Sequence, residues 1–175
     1  LINFANHHPR VNILQPGPGV GGHCIAVDPW FIVDSSPDEA KLIRTARLVN
    51  DSKPKYVLEQ VKKAKKLCQK NEHNINIACL GIAFKSDIDD LRESPALKIA
   101  ASISLTKLRN LYIVEPNISE LPKNLKNTNA ILTGLEDGIS ESDIIIVLVD
   151  HKEFMSIDKS LFENKIVIDT RGITN

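Results

Sequence analysis

Between Asp38 and about Lys70, apolar residues recur at three- and four-residue intervals: Ala40, Ile43 and Leu48, then Val57, Val61, Ala64 and Leu67, with charged positions between them. That period matches one face of an α-helix. Pro54 falls inside the pattern. A proline in a helix interior removes an N–H and costs about 3 kcal/mol, whereas in a first turn it is tolerated. Asn50-Asp51-Ser52 is therefore expected to separate or kink two helices and to cap the second, giving two helices or one bent one.

From Ile75 the pattern changes to short apolar runs: Ile75–Phe84, Leu111–Val114, Ala130–Thr133, Ile144–Val149 and Ile166–Ile168. These read as strands. Ser94-Pro95 is a good N-cap and first-turn pair, and Leu97, Ala100, Ala101 and Leu105 follow on one face, so Ser94–Leu108 reads as a helix. Strands apolar on both faces and joined by helices imply a parallel sheet. The expected fold is α/β: a cysteine loop over residues 1–36, a helical connector over 37–72, and a Rossmann-like domain over 73–175.

Composition narrows the functional classes. The 175 residues carry 22 Lys plus Arg and 22 Asp plus Glu, with no long run of one sign, so nothing argues for nucleic acid or an anionic membrane as partner. The apolar runs are far shorter than the roughly 20 residues of a membrane helix, and a cytoplasmic location is expected. Cys24, Cys68 and Cys79 show neither a disulfide framework nor the spacing of a metal site. The opening LINFANHHPR has no initiator Met and reads like the middle of a domain, so the chain is expected to be a piece of a longer protein.

The chemistry concentrates in Pro16-Gly17-Pro18-Gly19-Val20-Gly21-Gly22-His23-Cys24. Glycines let a ligand approach bare backbone N–H groups, although a glycine run alone equally suits a plain surface loop. Cys24 at the end of this loop shifts the balance, because a thiol at a constrained, accessible turn suits a nucleophile. Cys68 and Cys79 fit buried structural positions. His23 adjoins the thiol, but neighbouring side chains in an extended loop point apart.

GVGGHCIAVD resembles the cysteine loop of the UDP-glucose/GDP-mannose dehydrogenase family, in which an aspartate follows the cysteine by four positions; here that is Asp28. Gly81 to Ser94, GIAFKSDIDDLRES, is similar to the family's GxAFKxDxxDxRES. His8-Pro9-Arg10 and Asp169-Thr170-Arg171-Gly172 resemble two further family segments. The resemblance implies an NAD-dependent oxidation of a sugar C6 alcohol to a uronic acid, with Cys24 as the catalytic nucleophile and Asp28 positioning the hydrolytic water. It implies substrate contacts at His8, Arg10, Gly21, Phe84, Lys85 and Arg171, with Arg10 reaching the neighbouring subunit's substrate, and a contact from Arg92 to the NAD pyrophosphate. No metal is implied.

Ala26-Val27 stands where the UDP-glucose branch has Pro-Lys, and HCIAVDPW is more similar to the N-acetylhexosamine branch. The expected substrate is therefore a UDP-linked amino sugar, N-acetylmannosamine first, with N-acetylglucosamine or glucose as alternatives. A homodimer formed through the helical connector is expected. The first NAD-binding unit and the family's oxyanion lysine and asparagine belong upstream of Leu1, so the expectation for these residues alone is nucleotide-sugar binding without turnover.

Overall fold

A computed structural model describes residues 1–174. The helices are α1 (Ile2–Ala5), α2 (Asp28–Ser35), α3 (Lys41–Leu67), α4 (Pro95–Ser104), α5 (Leu135–Ser140) and α6 (Lys152–Met155). The strands are β1 (Asn76–Leu80), β2 (Asn110–Val114), β3 (Ala130–Leu132), β4 (Ile144–Val147) and β5 (Ile166–Asp169). They form one parallel sheet in the order β3-β2-β1-β4-β5. This is the α/β arrangement the strand pattern implies. Its topological switch point lies between β1 and β4, where the connections depart in opposite directions and leave a crevice at the carboxyl ends.

Period-two alternation divides the core between the two faces of the sheet. Ile77, Cys79, Leu111, Ile113, Ile144 and Ile146 pack with Val57, Val61 and Ala64 of α3 and with Ile99 and Ile103 of α4. On the other face Ala78, Leu80, Ile145 and Val147 pack with Ile139 of α5 and Phe154 of α6. Every residue of β1 and of β4 is buried, which is why both read as continuous apolar runs. All three cysteines are free; burial pushes the Cys79 thiol up to about 12, which leaves it inert.

One boundary differs from the sequence expectation, and one open alternative is decided. The first strand ends at Leu80 rather than Phe84, because the N–H groups of Ile82 and Ala83 turn away from the sheet and donate to the buried Glu115 carboxylate at 2.8 and 3.0 Å. Of the two arrangements expected around Pro54, a single helix is present: residues 41–67 run on through the proline without a break at 50–52. Tertiary packing outweighs the local penalty: Val57, Val61 and Ala64 are buried on the sheet beyond the proline, and Lys65 donates to Thr106 Oγ1 at 2.7 Å and to the Lys107 carbonyl at 2.8 Å. The Ser94 cap is present. Its Oγ accepts from Leu97 N at 3.1 Å and donates to the Ile82 carbonyl at 2.7 Å, so the cap of α4 also ties down the turn after β1.

Candidate functional site

A cleft of about 800 Å3 opens where the glycine-rich loop crosses the carboxyl edge of the sheet. Its walls are residues 12–21 and Ile25, the middle of α3 at Ala46, Val49, Asn50 and Lys53, and the segments that follow β1, β4 and β5. The last three carry Phe84, Lys85, Asp150 and Arg171. The volume lies within the range of small-ligand pockets, and its place at the switch point is where open parallel sheets bind ligands.

The loop is seated by its glycines. Gly22 has φ +92 and lies against the Phe84 ring, and its N–H donates to the Arg92 carbonyl at 3.2 Å. A Cβ on Gly21 would collide with the Glu93 carbonyl and stand 2.8 Å from Pro95 Cδ, so any side chain there would lift the loop off α4. On the far side Asn50 of α3 holds Val20: Val20 N donates to Asn50 Oδ1 at 2.8 Å, and Asn50 Nδ2 donates to the Val20 carbonyl at 3.2 Å.

Cys24 follows on an exposed turn whose carbonyl accepts from Val27 N at 2.9 Å and Asp28 N at 2.8 Å. Asp28 is thereby the first residue of α2, with Pro29 behind it, where the sequence pattern suggested only loop. Arg92 grips Asp90 with both its Nε and a terminal nitrogen, the latter at 2.6 Å, and its side chain remains 63% exposed. The Arg92 hydrogen bonds push the Asp90 carboxyl down to about 2, and His23 is close enough to add to the effect. Its hydrogen bond and charge pairing with Asp90 raise the Arg92 pKa, and Cys24 adds a smaller electrostatic contribution.

Arg171 reaches the cleft from the turn after β5, which Asp169 shapes by accepting from Arg171 N, Gly172 N and Thr174 N at 2.7–2.8 Å. Its guanidinium pairs with Asp150 at 2.8 Å, and Ser86 Oγ donates to the same carboxylate at 2.6 Å. Burial would raise the Asp150 pKa, but these partners outweigh it and hold the group below the ordinary carboxylate value. Lys53 and Lys85 have no ion-pair or hydrogen-bond partner among the described residues.

Of the residues singled out in the sequence, Gly21, Phe84, Lys85 and Arg171 line the cleft, and Cys24, Asp28 and Arg92 stand beside its loop wall. His8 and Arg10 are exposed and do not line it; their contact is with each other, Arg10 N donating to His8 Nδ1 at 3.3 Å. The sequence reading missed Asn50, Lys53 and Asp150. It also missed a buried pair behind the Phe84 turn, Glu115 and His151, whose carboxylate and Nε2 are 3.1 Å apart.

His151 Nδ1 accepts from Asp87 N at 2.9 Å, which assigns the ring proton to Nε2 and directs it at Glu115. Burial raises the Glu115 pKa, but the bonds from His151, Ile82 and Ala83 outweigh it, leaving the group below its ordinary value. For a nicotinamide dinucleotide the residues present offer one hold, the exposed Arg92 beside Cys24. The turn after β1 offers no second, since Glu115 occupies the N–H groups that such a fold turns toward a pyrophosphate. No cluster of three or more His, Cys, Asp or Glu side chains suited to a metal occurs among the described residues, and no described helix is long and apolar enough to cross a membrane.

Known proteins share this arrangement. Residues 78–175 match the UDP-binding domain of the UDP-glucose/GDP-mannose dehydrogenase family, and residues 1–52 match its central domain. The chain is 53% identical over 173 residues to an NDP-N-acetyl-D-galactosaminuronic acid dehydrogenase of Ralstonia solanacearum, and 52% identical over 177 residues to a UDP-N-acetyl-D-mannosamine dehydrogenase of Salmonella typhi. In each case 99% of this chain aligns with 40% or 42% of the relative, so the chain spans about two fifths of these proteins' length. Among solved structures, a UDP-D-ManNAc dehydrogenase of Pyrococcus horikoshii superposes with a TM-score of 0.79 at 32% identity. A UDP-N-acetyl-mannosamine dehydrogenase of Staphylococcus aureus superposes at 0.73 and 35%, each match covering 99% of this chain and 40% of the other. With one family description spanning its sheet domain and another its cysteine loop, the chain belongs to the UDP-glucose/GDP-mannose dehydrogenase family.

Proposed function

We propose that this chain supplies the reactive thiol and the UDP-binding wall of an NAD-dependent nucleotide-sugar 6-dehydrogenase whose substrate is UDP-N-acetyl-D-mannosamine. The observation that carries the reading is the charge of the cleft beside the thiol. Three cations, Lys53, Lys85 and Arg171, line it against one carboxylate, Asp150, and two of the three have no counter-charge among the described residues. A diphosphate supplies the missing negative charge. Lys85 binds it as a mobile point charge, and Arg171, oriented by Asp150, offers a planar fork to phosphate or sugar oxygens. Phe84 gives the nucleoside an apolar surface, and the Gly21 backbone lets the phosphates approach.

The chemistry follows from the thiol's place at the loop's end. Loss of the C6 hydroxyl proton and of a hydride from C6 gives the aldehyde. Cys24 Sγ then bonds to the aldehyde carbon, and the oxygen takes a proton, so that a C–H and an O–H again share one carbon. A second loss of hydride and proton from that carbon leaves a thioester. Water held by Asp28 adds to the thioester carbonyl, the C–S bond breaks, and the uronate leaves as the thiol is restored. Arg92 would hold the pyrophosphate of NAD, which would supply the hydride acceptor for both oxidations, two molecules per uronate. His8 and Arg10, lying outside their own cleft, serve the site of a second subunit in a homodimer.

The relative at 53% identity bears the name of a galactosaminuronic acid enzyme, so a second sugar series has specific support. A substrate panel separates the two. The full-length enzyme is expected to release two NADH per uronate from UDP-N-acetyl-D-mannosamine, with kcat/KM at least about tenfold above that for the galactose-, glucosamine- and glucose-series nucleotides. A preference for the galactose series moves the substrate assignment, and no NADH from any of them overturns the reading.

A further inference from the structure

The glycine-rich loop must hold a thiol still while having few side chains with which to anchor itself. Its backbone is gripped instead from α3, thirty residues further along the chain, by Asn50. The carboxamide gives Val20 what a neighbouring strand would give it: an acceptor for its N–H at 2.8 Å and a donor for its carbonyl at 3.2 Å. Asn50 Nδ2 also donates to Asp51 Oδ1 at 3.2 Å, and Arg47 donates to the same oxygen at 2.8 Å, so the amide's orientation is fixed from within the helix.

Pro54 adds to the arrangement. Having no N–H, it leaves the Asn50 carbonyl, four residues earlier, without its helical partner. Gly19 lies over that carbonyl, so close that a Cβ at Gly19 would be 3.6 Å from it. The one residue of α3 whose carbonyl Pro54 frees is thus the residue that receives the loop. Asparagine suits this place because its short side chain carries both a donor and an acceptor, which alanine, serine and aspartate do not reproduce in this geometry.

We propose that Asn50 is a positioning residue that clamps the glycine-rich loop at Val20 and so fixes Cys24, four residues on, relative to the cleft. The inference rests on Cys24 being the nucleophile, as the proposed function has it, but the clamp itself is measurable without turnover.

The test combines amide hydrogen exchange with steady-state kinetics on Asn50→Ala and Asn50→Asp in the full-length enzyme. Exchange across residues 17–24 is expected to accelerate about tenfold or more in Asn50→Ala while β1 and β4 keep wild-type protection, since both hydrogen bonds to Val20 are lost. The maximal rate kcat should fall about tenfold or more, with the KM for NAD unchanged. Asn50→Asp keeps the acceptor for Val20 N and loses the donor, so it should fall between the two; it also serves should Asn50→Ala not fold. Wild-type exchange rates across 17–24 in either folded variant overturn the clamp. Fast exchange with an unchanged kcat overturns the catalytic consequence alone. An inactive wild-type enzyme would count against the proposed function, and exchange would still decide the clamp.

Discussion

Replacing Cys24 with serine is expected to lower uronate release by about a thousandfold or more, the scale seen when a covalent nucleophile is removed. Serine is nearly isosteric with cysteine, and Cys24 is exposed on a turn held by backbone bonds from Val27 and Asp28, so the fold and the cleft should persist. What changes is the nucleophile. A serine hydroxyl is scarcely ionised near neutral pH, and no general base pairs with this side chain among the described contacts. The aldehyde formed in the first oxidation then has no covalent route to the second. NADH production should stop at or below one equivalent per substrate bound, with aldehyde retained or released and UDP affinity unchanged. Quantifying NADH and uronate together checks this. Near wild-type uronate from Cys24→Ser would remove the thiol from the mechanism.

The second large effect is expected on stability. Glu115 and His151 are both essentially inaccessible, and the Glu115 carboxylate accepts from Ile82 N, Ala83 N and Asn117 as well as facing His151. Glu115→Ala leaves the Ile82, Ala83 and His151 donors buried without an acceptor. Leaving a buried donor without an acceptor costs about 1–3 kcal/mol, so three together remove a large part of the roughly 5–15 kcal/mol that holds a domain together. Urea unfolding should show that loss. The damage has a functional face too, since the same bonds shape the turn that presents Phe84 and Lys85 to the cleft.

The pH dependence follows from the same carboxylate. Its pKa in the folded protein lies below its ordinary value of 4.5, so its contribution is complete above that pH and is lost as pH falls through the folded value. Acid should therefore destabilise the wild type more steeply below about pH 4.5 than it does Glu115→Ala.

How far the sequence disclosed this architecture depends on how local each determinant is. The five strands, the Ser94 cap and the parallel sheet follow from apolar runs and a Ser-Pro pair, signals that operate over a few residues. Pro54 leaves two helices or one bent helix open from the sequence: its local penalty is real, but the buried face of α3 beyond it carries one helix through. From the sequence Asn50 reads as a local cap because it precedes a proline, whereas its partner, Val20, is thirty residues away. Glu115 and His151 are thirty-six residues apart, each at the end of a strand, and only the order of the sheet brings them together behind the turn after β1. In the site, Phe84, Lys85 and Arg171 were legible through family motifs. Lys53 was not, because a lysine on a helix rich in lysine and arginine looks like any solvated one.

On this reading the cleft between the glycine-rich loop and the sheet edge is a nucleotide-sugar site. Titration calorimetry of this chain with UDP tests it most directly. One UDP is expected to bind per chain, with affinity that falls as salt rises, uridine binding far more weakly, and a loss of about tenfold or more for Lys85→Met, the equivalent of one charge-assisted contact. No saturable heat with UDP, or equal affinity for UDP and uridine, would contradict it.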